Sequence, residues 1–513
     1  MARIERISEP WALNRSFAIA ITMALAMILG SWAASGEIEY IVLLAVWFAA
    51  VMIIVFVRDY WWSPALIITA FSLSTSAMGI PLSGMELAVI IISLVFPVKI
   101  AMKTLRKAEP EMHPGVFYWA LIAFVAVHAV VIIFYNKIEG TPILKNIAKA
   151  YYTALAPLVL YGLLIRYCHT RTVRPTIIAL FITTFFVVCA CICTALLGLG
   201  LDPLTSLHIT VGWLDARGAP AILRISGPYL FIASLAFWPT SRGGFGRFVF
   251  ILGILLGAFG TLVSGGRLCV ALCIAAGLFF AFVRGKFWVA IPFIVVTVIT
   301  SALITAQPDL LYKFPETVQR AVAPLNLSQE QTEVQQGLGV SDDWHHDLRV
   351  RSLDYWGEDT NSFWLGHGYK SWDPSINLND PDGPIDQDHV EQLAIEMGLT
   401  ENMFSSVTNI FGATGLLLYA CFLGHVGWLL FKGCRRAPVG SDARALCEFS
   451  LINLLGAVTF APFMGGVPAL NLIFWQLGIL AARPYLASPA PAKSPEPAAT
   501  LPNFIPKSLR PVS

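Results

Sequence analysis

Long apolar runs recur along the whole sequence, and they decide what kind of fold the chain can adopt. An α-helix that crosses a membrane needs about 20 consecutive apolar residues. Runs of about this length occupy residues 14–34, 39–57, 61–79, 85–102, 116–135, 150–167, 175–199, 227–239, 247–264, 268–283, 287–306, 407–431, 447–463 and 467–484. Several of them are short, so we expect about twelve to fourteen transmembrane helices. The pattern predicts an all-α polytopic membrane protein.

The composition excludes a soluble globular protein. Charged residues make up 13% of the 513-residue chain and hydrophobic residues 57%, with a mean hydropathy of +0.69. Soluble domains carry about 25% charged residues. The net charge of +2 comes without a clustered basic face, so nucleic acid is not an expected partner. The lipid bilayer is the expected environment.

The nine cysteines suggest neither a metal centre nor a disulfide framework. They fall in apolar segments or in short basic connections. The Cys-x-Cys-x-Cys run at 189–193 lies in the middle of a candidate span, among Val and Ala. Buried cysteines in such surroundings behave as small apolar residues. We therefore expect no metal at this run.

The basic residues between the spans predict how the chain is oriented. With the N-terminus in the cytoplasm, every second connection should be rich in Lys and Arg. The connections at Arg58, 99–107, 166–174, 242–247, 284–286 and 432–444 fit this rule. The external connections are poor in basic residues, except around 136–149. Both termini are therefore expected in the cytoplasm.

One long polar segment interrupts the apolar runs and divides the chain. We expect about eleven transmembrane helices in 1–306, a large external loop in 307–405, about three further helices in 406–484 and a disordered cytoplasmic tail in 485–513. The loop contains 18 Asp and Glu against 5 Lys and Arg, a net charge of −13. Loops of this length in compact proteins are usually functional or disordered, and its content of Trp, Tyr and Gly does not suggest disorder.

Charged residues are almost absent from the candidate spans themselves. Ion-coupled transporters need ionisable groups near the middle of the membrane. His128 is the exception, and no carboxylate partner is evident for it, so we interpret it as a hydrogen-bonded structural residue. The polar groups gather instead at the external ends of the helices. This placement favours chemistry at the membrane–water boundary over transport.

Three arginines stand out among these external groups. Arg267 lies at a Gly-Gly turn between two spans, while Arg217 and Arg224 lie in the connection before the short span at 227–239. Arginine can grip phosphate oxygens with two nitrogens, and glycine lets a ligand approach the backbone. Arg267 could instead reach the interface as an ordinary snorkelling side chain, and Arg217 could pair with Asp215. We expect 226–228 to begin a helix, which would also suit an anion.

Four stretches in this order resemble a known family. They are RISGPY before a span, SGGR at a helical hairpin, WLGHGYKSW in the long loop and ENMFSSVTNIFGATGLLLY after it. Together they are similar to the O-antigen ligase and O-antigen polymerase family of bacterial inner-membrane glycosyltransferases, over roughly 210–430. The positions that match the family motifs are Gly366, Gly368 and Tyr369 in the loop, and Asn402, Phe404, Gly412 and Gly415 after it.

The resemblance implies a GT-C-like fold in the bacterial inner membrane, with the long loop in the periplasm. It implies transfer of a glycan, with inversion, from an undecaprenyl-diphosphate carrier to an acceptor sugar hydroxyl, using no metal, nucleotide or other cofactor. Arg224 and Arg267 match the family's arginines and would stabilise the leaving diphosphate. The family's general base is a histidine before the asparagine. Here that position is Glu401, and a carboxylate can also serve as base in inverting glycosyl transfer.

Other interpretations of these residues remain open. The base could come from a loop histidine, and Glu401 could be an ordinary acid at a helix N-terminus. The loop histidines are His345, His346, His367 and His389. The expected substrate-binding residues are Arg217, Asn402, His389, His367, Gly366, Gly368 and Tyr369. The loop aromatics could stack on sugars, but a loop core and interfacial anchors are favoured for most of them; they are Trp344, Tyr355, Trp356, Phe363, Trp364, Tyr369 and Trp372.

The expected function is a surface polysaccharide or O-antigen polymerase, with three alternatives. The first is a ligase that attaches the glycan to lipid A-core or another surface acceptor. The second is a transporter of lipid-linked glycans, and the third is an inactive scaffold of envelope assembly, which Glu401 in place of histidine suggests. The expected partners are the carrier-linked donor, a glycan or lipid-linked acceptor, the bilayer and proteins of envelope assembly.

Overall fold

The computed structural model describes most of the chain from residue 112 to residue 487. The described ranges are 112–138, 144–197, 209–211, 218–241, 243–285, 290–307, 318–320, 333–369, 403–459 and 469–487, with 73–75, 82–83 and the single residues 62, 92, 95, 96, 99, 392, 395 and 396. The candidate spans at 14–34 and 39–57 and the tail at 485–513 therefore lie wholly or almost wholly outside the described residues.

Helices make up most of the described chain. They are α1 Val116–Ile138, α2 Leu144–Tyr167, α3 Thr170–Leu197, α4 Gly218–Phe237, α5 Gly244–Val263, α6 Arg267–Val283, α7 Ala290–Ala306, α8 Glu333–Trp356, α9 Thr360–Leu365, α10 Met403–Arg436, α11 Asp442–Thr459 and α12 Ala469–Ala487. A 3₁₀ turn, Trp238–Thr240, extends α4.

Among the described residues, five helical segments are long and apolar enough to cross a membrane. They are Val116–Tyr135, Thr170–Leu197, Gly218–Thr240, Gly244–Val263 and Phe404–Arg436. The shorter apolar helix α6 follows α5 directly. The expected α-helical character is confirmed, with helices able to cross a membrane, and helices α2, α7, α11 and α12 also fall on predicted spans. The total of twelve to fourteen spans stays a prediction.

A small antiparallel sheet departs from the all-helical expectation. Strand β1, Leu73–Thr75, pairs with β2, Leu82–Ser83, and with β3, Ile209–Val211, in the order β2-β1-β3. A continuous helix over 61–79 is therefore wrong for its last part. The sequence there, FSLSTS, is rich in Ser and Thr, which compete with helical hydrogen bonds and favour extended backbone.

Helix α4 begins earlier than the sequence suggested. It starts at Gly218, so Arg224 lies within the helix and the residues 226–228 do not begin one. The prediction for 226–228 is wrong because this stretch packs tightly on α5. A Cβ atom added at Gly227 would lie 2.8 Å from Thr261 Oγ1, and one added at Gly257 would lie 2.6 Å from the Phe231 nitrogen. Small residues at such crossings let two membrane helices approach closely.

Arginine side chains tie several helices together at one end of the bundle, which we call the basic end. Arg483 on α12 donates to the carbonyl of Ile165, in the last turn of α2, and to the carbonyl of Cys168, directly after that helix. Arg436 on α10 donates to the carbonyls of Tyr485 and Leu486. We call the other end of these helices, where α4 begins and α5 ends, the opposite end.

A buried glutamate on α11 holds two further arginines at the basic end. Glu448 Oε2 accepts from Arg284 Nη2 at 2.7 Å, and Glu448 Oε1 accepts from Arg444 Nε at 2.9 Å. Arg284 also donates to the carbonyls of Leu235 and Ala236 on α4. The Glu448 side chain is only 3% exposed. It therefore compensates two cations and joins α6, α4 and α11.

Replacing this glutamate should destabilise the protein strongly. We expect Glu448→Gln to lower the free energy of unfolding by about 3–5 kcal/mol, because it removes the buried counter-charge of Arg284 and Arg444. The measurement is unfolding in detergent micelles, followed by circular dichroism. The matched control is Asp442→Asn, which removes the exposed pair with Arg174 (2.9 Å; side chains 37% and 74% exposed) and should change stability by less than about 1 kcal/mol. Equal losses in both variants would contradict the role assigned to Glu448.

Candidate functional site

The turn between α5 and α6 lies at the opposite end and is fixed by its own hydrogen bonds. Ser264 Oγ donates to the Thr261 carbonyl at 2.6 Å and accepts from the Gly266 nitrogen at 3.2 Å. Gly265 has a φ of +70°, a conformation that glycine adopts without strain. Gly266 is the N-cap of α6, and Arg267 is the first residue of that helix. The turn therefore places Arg267 at a helix N-terminus.

Arg224 reaches the same turn from α4. Its Nε donates to the Ser264 carbonyl at 3.3 Å, across 40 residues of sequence. The thiol of Cys269 donates to the Arg224 carbonyl at 3.2 Å, which fixes α4 against the start of α6. Arg224 is exposed and Arg267 is half-buried. Two of the three predicted arginines thus flank one turn, while Arg217 lies outside the described residues.

The electrostatics of this turn suit an anion. The C-terminal carbonyls of α5 carry a partial negative charge, and Arg224 Nε binds one of them at Ser264. The N-terminus of α6 carries a partial positive charge, to which Arg267 adds a full one. Within the described part of the chain, the side-chain hydrogen bonding of Arg224 uses Nε alone. Guanidinium groups placed in this way can hold the oxygens of a phosphate or diphosphate.

The second predicted group, Gly366-His367-Gly368, lies on a break in α10. Gly412 has φ 66° and ψ −171°, so the helix is interrupted there. The break removes the usual helical partners of the carbonyls one turn earlier. The His367 nitrogen donates to the Asn409 carbonyl at 2.7 Å, and the Gly368 nitrogen donates to the Ile410 carbonyl at 3.0 Å. The loop thus supplies the donors that the broken helix lacks.

Gly366 and Gly412 make this contact possible because neither has a side chain. A Cβ atom added at Gly366 would lie 2.5 Å from the Gly412 nitrogen. One added at Gly412 would lie 2.4 Å from the Trp364 carbonyl carbon. Both residues have positive φ. Two motifs that are far apart in sequence therefore meet backbone to backbone.

His128 supports this contact from α1. Its Nε2 donates to the Leu365 carbonyl at 2.9 Å, and its Nδ1 accepts from the Tyr151 hydroxyl at 2.8 Å. The ring is therefore the Nε2–H tautomer, because a carbonyl can only accept. The interpretation of His128 as a hydrogen-bonded structural residue is confirmed.

Tyr369 is the third residue of the loop motif, and its ring packs on the helices next to the glycine contact. Its ring lies edge-on to Tyr151, with centroids 4.9 Å apart, and 6.0 Å from Phe411. Tyr369 therefore packs the loop against α2 and α10.

His367 is held inside the loop by both of its ring nitrogens. Nε2 donates to the Tyr355 carbonyl at 2.8 Å, and Nδ1 lies 3.3 Å from Ser362 Oγ. The imidazole also stacks on the Tyr355 ring at a centroid distance of 3.9 Å. This environment favours a positioning role for His367 over contact with a substrate or service as the base.

Asp359 is the N-cap of α9, directly before its first residue, and its hydrogen bonds reach Ser362 beside His367. Its carboxylate accepts from the Asn361 and Ser362 nitrogens at 2.7 and 3.0 Å and from Ser362 Oγ at 2.5 Å. The hydrogen bonds from Ser362 lower the pKa of this exposed carboxyl. Its contribution to stability is therefore present at neutral pH and is lost as the pH falls through the lowered pKa.

Some aromatic residues of the loop pack on one another, and others are exposed. Trp356 stacks on Phe363 at 4.8 Å, and its Nε1 donates to the Phe363 carbonyl at 2.9 Å. Tyr355, Trp356 and Tyr369 are half-buried, while Phe363 is 37% exposed, so the core expected for these residues is seen only in part. Trp364 is 54% exposed. The side chains of Trp344 and Trp372 lie outside the described residues.

The predicted base and its neighbours are not covered by the described residues. Glu401, Asn402 and His389 lie outside them, as does the side chain of His345. Helix α10 begins at Met403, directly after Asn402. His346 is exposed on α8. The assignments of base and acceptor-binding residues stay predictions.

Several contacts that hold this region had no signal in the sequence. Asn409 Nδ2 donates to Ser352 Oγ at 2.7 Å in a buried place, and the Leu365 carbonyl binds His128 across 237 residues. Nothing in a single sequence pairs residues so far apart. Among the described residues, no three His, Cys, Asp or Glu side chains are grouped to hold a metal ion. A cavity of about 30 Å³ beside Tyr229 and Phe449 is apolar and has room for only about one water molecule.

No protein-family model matches the chain, and no curated protein sequence matches it. The geometry at the opposite end is therefore the starting point for assigning a function.

The glycine at the break of α10 can be tested against a second glycine in the same helix. We expect Gly412→Ala to destabilise the protein by about 1–3 kcal/mol from backbone strain alone, and further because the new methyl group meets the backbone of Trp364. Gly424→Ala is the control, since a Cβ atom there meets nothing within 4 Å. It should leave stability unchanged or raise it by up to about 1 kcal/mol. The measurement is the midpoint of thermal unfolding in detergent, and a similar midpoint for both variants would refute the contact.

Proposed function

We propose that this protein is a membrane glycosyltransferase that moves a glycan from an undecaprenyl-diphosphate carrier to an acceptor sugar hydroxyl. The observation that carries the proposal is the placement of both Arg224 and Arg267 at the α5–α6 turn. A lipid diphosphate is a leaving group with several negative oxygens, and fixed guanidinium groups stabilise the charge that develops on it. The resemblance of the sequence motifs to the O-antigen ligase and polymerase family supplies the reaction class.

The position of the turn along the helix supports a substrate that is anchored in the membrane. From Arg267 to Arg284, α6 runs about 17 residues, which is about 25 Å. The hydrocarbon core of a bilayer is about 30 Å thick. With Arg284 at the basic end, Arg267 lies close to the other boundary of the core. A diphosphate lies at this height when its polyprenyl chain is in the bilayer.

The proposed reaction is a single displacement. The acceptor oxygen attacks the anomeric carbon of the donor glycan, and the bond from that carbon to the diphosphate oxygen breaks. Undecaprenyl diphosphate leaves with the electron pair, and its new charge is stabilised by Arg224 and Arg267. The acceptor proton passes to a general base. Glu401, two residues before α10, is the proposed base, and attack from the opposite face inverts the anomeric carbon.

A polymerase of surface polysaccharide or O-antigen is the specific function we propose. Its acceptor would be another carrier-linked glycan. A ligase acting on lipid A-core or another surface acceptor would use the same turn and the same leaving group. We propose the bacterial inner membrane as the location, with the basic end in the cytoplasm and the α5–α6 turn at the periplasmic side, in accord with the positive-inside rule.

The arginines can be tested by complementation and by transfer in vitro. The Arg267→Ala and Arg224→Ala variants are expressed in the source bacterium after deletion of its own gene, and surface glycans and carrier-linked glycans are analysed. We expect Arg267→Ala to reduce the transfer rate by about 100-fold or more, as removal of one preorganised donor does elsewhere. Arg267→Lys should recover part of the rate, because it restores the charge but not the planar fork. Glu401→Gln should also lose transfer.

The control for these variants is Arg247→Ala, an exposed arginine in the first turn of α5 at the basic end. It should keep full activity, and all variants should unfold at the temperature of the wild type. Short glycans that are still attached at the surface would identify a polymerase. Full-length glycans left on the carrier would identify a ligase. Normal glycans in the Arg224, Arg267 and Glu401 variants would rule out the enzyme and favour a scaffold.

A further inference from the structure

Helix α9 descends along the outside of α10 toward the middle of α1. Before α9, the ring of Trp356 packs edge-on against Phe404, with centroids 6.1 Å apart. After α9, Gly366 meets Gly412. Residues 404 and 412 are about eight residues apart on α10, which is about 12 Å along a helix. The chain from Trp356 to Gly366 therefore runs along α10 for about two helical turns, away from the start of that helix.

Two helices give the depth that the segment reaches. The Leu365 carbonyl is bonded to His128, and the apolar span of α1 ends at Tyr135. The distance between residues 128 and 135 is about 10 Å along a helix. On α2, Tyr151 binds the same histidine, and Arg166 lies about 22 Å further toward the basic end. We take Tyr135 to mark the boundary of the hydrocarbon core at the opposite end and Arg166 to mark the boundary at the basic end. Since the core is about 30 Å thick, both estimates place the Leu365 carbonyl about 8–10 Å below the boundary at the opposite end.

Four backbone groups of residues 365–368 have protein partners, as such a depth requires. Non-helical backbone within the hydrocarbon region is stable only where protein groups replace water as hydrogen-bond partners. The Gly366 nitrogen donates to the Ser362 carbonyl, and the nitrogens of His367 and Gly368 donate to carbonyls freed by the break in α10. His128 donates to the Leu365 carbonyl. These four polar groups therefore need no water.

The exposed side chains of the segment change character with depth. At the upper end, Glu358 and Asp359 are exposed and charged. At the lower end, Trp364 and Leu365 are 54% and 50% exposed and apolar. The surface of α1 near the depth of His128 is also exposed and apolar, with Val127 64% and Val131 57% exposed within a membrane span, and Phe134, nearer the boundary, is 64% exposed. The apolar end of the segment is thus continuous in depth with a lipid-facing helix surface.

We propose that α9 and residues 366–369 form a re-entrant segment that dips into the membrane leaflet at the opposite end. Trp364 and Leu365 contact the acyl chains of phospholipids in that leaflet, while Asp359 stays at the water boundary. The long polar loop is therefore inserted into the bilayer at this point and does not simply cover it. The inference rests on packing and hydrogen bonds alone, and it is independent of the proposed chemistry.

Site-specific photocrosslinking tests the proposal directly. The photoreactive amino acid p-benzoylphenylalanine replaces Trp364 or Leu365 in the full-length protein, which is reconstituted into dioleoylphosphatidylcholine vesicles and irradiated. We expect intact-protein mass spectrometry to show adducts of one phospholipid at both positions, at a yield similar to that at Phe134. Position 358 is the control, and its lipid adduct should be at least ten times weaker.

The second position keeps the test decisive if one substitution prevents folding, and each variant is first compared with the wild type by thermal unfolding. Lipid adducts at 134 with none at 364 and 365 would overturn the proposal, because the segment would then lie in water. Crosslinks from 364 and 365 to another part of the chain would overturn it as well. Lipid adducts at 358 equal to those at 365 would show surface adsorption in place of insertion.

Discussion

The break in α10 at Gly412 is the feature on which the opposite end of the molecule depends. A helix that crosses a membrane satisfies its own backbone, and a break exposes carbonyls that no water can reach. Here the carbonyls of Asn409 and Ile410 receive the nitrogens of His367 and Gly368. The exchange is possible only because Gly366 and Gly412 allow the two backbones to touch. An interruption in one helix thus fixes the position of a loop stretch, Gly366 to Gly368, that lies about 60 residues after the end of α7.

The α5–α6 turn obeys the same rule with different groups. A tight turn between two apolar helices leaves carbonyls at the end of the first and nitrogens at the start of the second. Ser264 satisfies groups on both sides, and Arg224 binds the Ser264 carbonyl from a third helix. This contact couples α4 to the turn and holds Arg224 at the same turn that carries Arg267. The hydrogen bond that satisfies a backbone carbonyl of the turn therefore also places a second cation at it.

The sequence was sufficient for the features that depend on local composition. Apolar runs marked most of the described helices, and the Gly-Gly-Arg pattern marked the turn where Arg267 begins α6. It failed where packing overrides composition. Helix α4 continues through Ser226, Gly227 and Pro228 because Gly227 fits against Thr261 on α5, and no local signal shows this. The strand at Leu73–Thr75 likewise depends on partners outside its own stretch.

Within the candidate site, the sequence shows which residue types are present, but the role of each residue depends on what it packs against. The sequence picked out His367 for its chemistry, but its ring nitrogens face Tyr355 and Ser362, so the structure favours a positioning role. The sequence picked out Arg224 and Arg267 for their ability to bind anions, and the fold brings both to one turn. A histidine can serve either purpose, since neutral imidazole both donates and accepts. An arginine at a helix N-terminus near a membrane boundary cannot accept a proton and has only charge and donors to offer. This is why the proposed function assigns these two arginines to an anionic group of the substrate.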